Sequence, residues 1–344
     1  MPVATPELVH EAFRKALPYE LAPTNLPGVF VSNAPPVGFD PNTADRKDLI
    51  RYGLLWDRPG PAADPAVRAA WDRVFSRKWD PKKRIVPKMK VKYAKTDQIQ
   101  PLIKPEIGYA SHSWSGAGLQ GAPGSFTSVV GSWTIPWIIP SSEQEGYDYY
   151  GWRLWSGVGL DGFANSSEFL MVGIDEWIYD FMGGDLYGTG YAAFYEWYVK
   201  GADSNKTPYV SPIYVPNFPV APGHIVNASV QYVNNNTAGK IDFANETTGQ
   251  HFSITLAPPD GATCSGSRAE WILGTPDGGE PACSLPDFAP VQFTGAMACH
   301  DYSSIQNPQN GDYMNIVVDG RTLTNVTLGN YAVTINFTGH AWGE

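Results

Sequence analysis

The chain has 344 residues, 43% of them hydrophobic and 13% aromatic, with 24 Lys+Arg against 34 Asp+Glu and a formal net charge of −10. That balance suits a folded globular chain rather than a disordered one, and no apolar run approaches the roughly 18 residues of a membrane-spanning helix. Residues 1–105 hold 18 of the bases against 11 acids (net +7), whereas residues 106–344 hold six bases against 23 acids (net −17). A carboxylate-rich body is a poor partner for nucleic acid or anionic membrane, so neither is expected, and its self-repulsion falls in acid.

Residues 1–105 read as a basic segment of short helices and Pro-rich loops. Glu7, His10 and Glu11 interrupt the apolar start, so it does not read as a secretory signal, and by itself this suggests a cytoplasmic chain. Thr5-Pro6-Glu7 signals one helix start, and Thr43 is the expected cap of a second helix closed by Gly53. Asp64-Pro65 opens a third, on which Val67, Ala70, Trp71, Val74 and Phe75 fall on one apolar face. A run of bases from Arg77 to Lys95 follows, readable as a solvated linker or as a clamp onto the acidic body.

From residue 106 the pattern changes to strands. Residues 126–135, 225–233, 239–243 and 331–337 are Val/Ile/Thr/aromatic runs with partial alternation, bounded by Gly, Asn and Pro turns. With no long helical stripe between them, they predict a mainly β chain: an antiparallel β-sandwich over 106–344, preceded by the partly helical segment 1–105.

Most catalytic signatures are absent. The six His are scattered, and no zinc spacing, phosphate-binding loop, nucleophile elbow or dinucleotide fingerprint occurs, so no metal or cofactor is expected. Carboxylates, amides and aromatics remain. Three segments concentrate them: Val158–Gly162 running on to Asp175-Glu176-Trp177, Ala193-Phe194-Tyr195-Glu196-Trp197-Tyr198, and Ala269-Glu270-Trp271-Ile272. Asp161, Asp175, Glu196 and Glu270 are charges inside runs otherwise fit for burial, so each must be paired, hydrogen-bonded or shifted in pKa. Four together in a base-poor body point to a shared acidic cleft. Cys264 and Cys283 bracket the Glu270 segment and could form a disulfide, with Cys299 left over.

In their order and spacing these segments resemble the glutamic peptidase (eqolisin) family of acid-acting endopeptidases. The resemblance runs over residues 111–344, from Ser113-Trp114-Ser115-Gly116 through Asn245–Gln250 to Asp287-Phe288. It implies a concanavalin-like sandwich and a Glu–Gln pair flanking one water. The Glu serves as general base and then acid, and the Gln amide steadies the oxyanion. The matching Glu is Glu270. The family's Gln falls on Met171, a thioether with no hydrogen to donate. Its Trp before Tyr-Glu-Trp-Tyr falls on Phe194, and its acid two residues after Ala-Glu-Trp-Ile falls on Gly274. Gln120 is a candidate substitute donor.

Two readings follow. One is an acid endopeptidase acting on polypeptides through Glu270-activated water, slowed by Met171, with Asp161, Asp175, Phe194, Glu196 and Trp197 lining or supporting the cleft. The other is an inert sandwich that binds peptide or glycan in the same cleft. The opposite charges predict that the basic segment docks on its own acidic domain; the resemblance implies that it is a removable prosegment, the alternative being a permanent helical domain. A monomer is expected.

Overall fold

The computed structural model describes residues 11, 13–75, 82–91, 109–141, 151–163, 167–180, 187–203, 207–233, 235–275, 285–300 and 304–339. The architecture is a two-layer sandwich of largely antiparallel strands. The front sheet carries Glu270. Its central strands run in the order Asp312–Val318, Trp114–Gln120, Arg268–Gly274, Trp152–Leu160, Glu168–Asp180, Tyr187–Val199. The back sheet is centred on His251–Leu256, Ala238–Asn245, Ile225–Val233, Ser128–Thr134 and Val291–His300. The four expected strand runs all appear, as Ser128–Thr134, Ile225–Val233, Ala238–Asn245 and Ala332–Phe337.

Period-two alternation sorts the side chains. On the front sheet Val158, Leu160, Leu170, Val172, Ile174, Tyr195, Trp197, Ala269 and Trp271 point into the sandwich core. Their strand neighbours Gly159, Met171, Glu196 and Glu270 therefore point outward, onto the face that carries the candidate site.

The N-terminal helices follow local rules with one change. Asp45, not Thr43, caps Arg46–Arg51, its carboxylate accepting from Asp48 N at 2.8 Å. Thr43 is instead used in a turn, donating its N–H to Asp40 O. Gly53 ends this helix at φ +76°, a conformation that costs glycine nothing. Pro65–Phe75 buries the five expected apolar residues against Val130, Met297 and Cys299 on the outer face of the back sheet. The Thr5 helix start lies outside the described residues.

The basic segment also supplies strands that its sequence does not advertise. Leu21–Pro23 and Val29–Ser32 extend the back sheet beside His251–Leu256, and Lys90–Val91 extends the front sheet beside Ile213–Tyr214. These strands are two to four residues long, too short to show a period. The charge boundary near residue 105 is therefore not a break in either sheet. Of the basic run, residues 82–91 are described. Their attachments mix main-chain and side-chain bonds: Ile85 N donates to His251 O at 2.9 Å, and Lys83 Nζ donates to Thr248 O at 2.8 Å.

Beneath this segment the back sheet presents a polar face. Ser229, Gln231, Lys240, Asp242 and Thr255 are all buried there. Lys240 pairs with Asp242, and Gln231 Nε2 also donates to Asp242 at 3.0 Å. Burial pulls the Lys240 ammonium and the Arg84 guanidinium below their ordinary ranges, while the charge of Asp242 opposes the shift in both.

Candidate active site

The site is built on a row of directly paired residues across four strands: Glu270 opposite Gly159, Gly159 opposite Met171, Met171 opposite Glu196. Two strand spacings put the Glu270 and Met171 backbones about 10 Å apart. Glycine is required between them, because a Cβ on Gly159 would lie 2.8 Å from Glu270 Oε1 and 3.1 Å from Met171 Cβ. The position to which the family resemblance assigns the Gln thus faces Glu270 across an empty floor.

Glu270 is held by the turn after Trp152–Leu160. Gly162 N donates to its Oε1 at 2.8 Å and Phe163 N to its Oε2 at 3.1 Å. Asp161 returns the grip. Its carboxylate accepts from the backbone N–H of Gly266 (2.7 Å), Ser267 (2.8 Å) and Arg268 (3.2 Å), just ahead of Glu270. Asp161 itself sits at φ +68°, in the left-handed region that Asp tolerates better than most residues. The two carboxylates therefore lace the turn and the Glu270 strand together from opposite sides.

The site is shut. Glu270 is 1% exposed and Met171 3%. The Phe163 ring lies on Gly118, the next residue of the row, where a Cβ would come within 2.4 Å of it. Met171 packs with Trp155, Phe163, Phe169, Phe194 and Tyr198 in an aromatic cluster on this outer face. Burial pushes the Glu270 carboxyl up to about 8, against the two N–H donors that lower it; the charge of Asp161 raises it further and that of Arg268 lowers it.

Of the four carboxylates expected in one cleft, Glu196 shares the row with Glu270, while Asp175 and Asp161 are committed to other groups. Glu196 is half-buried beside Met171, in the Glu270 row. Asp175, four residues along the strand from Met171, is gripped by Arg153 Nε at 2.8 Å and accepts from the Tyr214 hydroxyl. Asp161 serves the turn. Phe194 lines the aromatic cluster, whereas Trp197 points the other way, into the sandwich core, where its Nε1 donates to Glu168 Oε1 at 3.0 Å. The strand alternation that turns Glu196 outward forces Trp197 inward. Gln120 is exposed and donates to Asp312 Oδ2 at 2.7 Å, away from Glu270. Cys264 is a buried thiol, and Cys283, its expected partner, lies outside the described residues.

Sequence reasoning missed two buried acids and a cover. Glu168 also accepts from Thr263 N at 2.6 Å. Glu176 is fully buried and accepts from Ser156 Oγ at 2.9 Å, and burial raises its carboxyl well above the ordinary range. One signal was available: Asp175 and Glu176 are neighbours in a strand, so one of them must face inward. The covering role of Phe163 left no trace in the sequence. Among the described residues no cluster of His, Cys, Asp and Glu could hold a metal ion, and no helix is long and apolar enough to cross a membrane.

Comparison with known proteins bears on the same strands. Aspergillopepsin-2 of Aspergillus niger is 28% identical over 244 residues, covering 66% of this chain and 78% of that protein. A crystal structure of scytalido-glutamic peptidase with a peptide-based transition-state analogue superposes with a TM-score of 0.51 at 20% identity, over 66% of this chain and 99% of that one. Aspergilloglutamic peptidase from Aspergillus niger gives 0.46 at 24% identity, over 54% and 99%. The profile of the Peptidase A4 family matches residues 112–337, which include every strand of the Glu270 row. The chain belongs to the Peptidase A4 family, the glutamic peptidases.

Proposed function

We propose that this protein is an endopeptidase in which Glu270 activates water for attack on a peptide carbonyl. The observation that carries the reading is the Glu270 carboxyl, fixed by two backbone N–H groups and facing Met171 across the side-chain-free floor at Gly159. Admitting substrate and water past Phe163 removes the burial that raises this carboxyl and leaves the two donors that lower it. It then ionises in mildly acidic medium. Glu270 takes a proton from water as the hydroxyl adds to the carbonyl carbon, then returns it to the leaving amine. Asp161 supports the turn that aims Glu270, and Phe194 and Glu196 line the approach.

The test is hydrolysis of an unfolded protein across acidic to neutral pH by the wild type and by Glu270→Gln. The wild type cleaves and the variant does not. Absence of cleavage at every pH sinks this reading. It would favour the inert peptide-binding alternative, whose supporting observation is Met171 packed into the closed aromatic cluster.

We also propose that the basic segment acts as a removable cover docked on the acidic domain. The sheet face beneath it is polar (Ser229, Gln231, Lys240, Asp242, Thr255), the composition of a face built to meet water once uncovered. Asp242 supplies the counter-charge to Lys240 and to Arg84, the segment's own base on this face. Incubation at pH 3 to 4 followed by mass measurement is expected to show loss of an N-terminal piece. An intact chain with unchanged activity contradicts it.

A further inference from the structure

Arg268 stands two residues before Glu270 on the same strand, so its side chain projects onto the same outer face. Its backbone is pinned on both sides by Asp161: Arg268 N donates to the Asp161 carboxylate, and Arg268 O accepts from Asp161 N at 3.1 Å. The guanidinium is treated differently. It is half-buried, and its Nε is buried without a hydrogen-bond partner among the described residues. A sheltered donor left unbonded is costly, and the Arg268 charge is near enough to lower the Glu270 carboxyl. Only six bases occur after residue 105, and Arg153, another on this face, is held in a fork by Asp175.

Several donors near Glu270 are already spent or missing. The N–H groups of Gly162 and Phe163 are committed to the Glu270 oxygens, and the Gln120 amide bonds Asp312. Met171 has nothing to donate. Peptide hydrolysis nonetheless places a negative charge on the carbonyl oxygen close to the base that activates the water, and that charge needs a pre-positioned donor. We propose that Arg268 is this donor, a catalytic residue taking over the oxyanion role that Met171 cannot perform. The assignment rests on the peptidase reading above.

The step balances as follows. Glu270 removes a proton from water, the hydroxide oxygen bonds to the carbonyl carbon, and the C=O pair moves to oxygen as an oxyanion that accepts N–H bonds from Arg268. Glu270 then delivers its proton to the amide nitrogen. The C–N bond breaks and the carbonyl re-forms, releasing an amine and a carboxylic acid. A guanidinium stays charged throughout the acidic range, and hydrogen bonds from a cation are about twice as strong as neutral ones.

The experiment measures kcat and KM for a peptide substrate with full-length Arg268→Met, Arg268→Gln and Arg268→Lys, alone and combined with Met171→Gln, with melting curves to establish folding. Loss of one oxyanion donor predicts a fall of roughly 10²–10³ in kcat for Arg268→Met, with KM changed only severalfold. Arg268→Lys recovers part of the rate. With Met171→Gln present, the loss on Arg268→Met shrinks at least tenfold, because the restored amide shares the task. If Arg268→Met does not fold, Arg268→Gln carries the same expectation of lowered kcat. Two results overturn the assignment while leaving the peptidase reading intact: a kcat within threefold of wild type where Glu270→Gln is inactive, or a raised KM with unchanged kcat, which makes Arg268 a receptor for a substrate carboxylate. A wild type without Glu270-dependent hydrolysis removes both.

Discussion

Met171→Gln is expected to raise kcat for peptide hydrolysis by about 10²-fold, the lower end of what one oxyanion donor contributes, since Arg268 already supplies part of that stabilisation. The register supports the effect. Residue 171 faces Glu270 across Gly159, and the Met171 side chain extends over the adjoining Gly157, where a Cβ would lie 3.2 Å from its terminal methyl. A Gln of similar length can therefore reach the same floor and present its amide to a bound carbonyl. The substitution carries a stability cost, because the amide enters a cluster of Trp155, Phe169 and Phe194 and must find a partner there. The check is kcat for both proteins on one peptide at matched pH. No rise, with the variant folded, means that the floor at Gly159 is not where the carbonyl is held.

Between about pH 4.5 and 8, stability is expected to fall as the pH rises. Glu270 titrates near 8 when folded and near its ordinary 4.5 when unfolded. Between those values the folded state holds a proton that the unfolded state has released, so the slope of unfolding free energy with pH is negative. At about 1.4 kcal/mol per pH unit, Glu270 alone removes on the order of 5 kcal/mol across that window. Glu176 acts in the same direction, its burial likewise favouring the protonated form. Urea midpoints measured from pH 4 to 8 should decline, and Glu270→Gln, which cannot ionise, should flatten much of the decline. A midpoint that climbs with pH would contradict burial of these carboxyls in the folded chain.

Much of the fold was legible because it rests on short-range rules. The runs at 225–233 and 331–337 are bounded by turn residues and carry partial alternation, and both are strands with the expected extents to within a residue. The helix Pro65–Phe75 follows from its Asp64-Pro65 start and its apolar spacing. The same rules misplaced one cap, since Asp45 lies two residues beyond Thr43 and its carboxylate was the nearer acceptor for Asp48 N. The edge strands at 21–23, 29–32 and 90–91 were hidden for another reason: their pairing is decided by the sheets they join, not by their own composition.

The candidate site divides in the same way. Sequence by itself determined the sandwich class, the charge asymmetry, the Glu270 segment and the Met at position 171, because each is carried by residue type, order or spacing along the chain. Tertiary structure decided which carboxylates share a face. Pairing register aligned Glu270, Gly159, Met171 and Glu196 in one row, while ion pairing withdrew Asp175 and turn capping withdrew Asp161. It also decided that Trp197 faces inward, that Phe163 covers the site and that the buried Arg268 Nε is left without a hydrogen-bond partner among the described residues. These outcomes depend on contacts between residues tens to more than a hundred positions apart, and on the desolvation those contacts impose, neither of which is encoded in any local stretch of the chain.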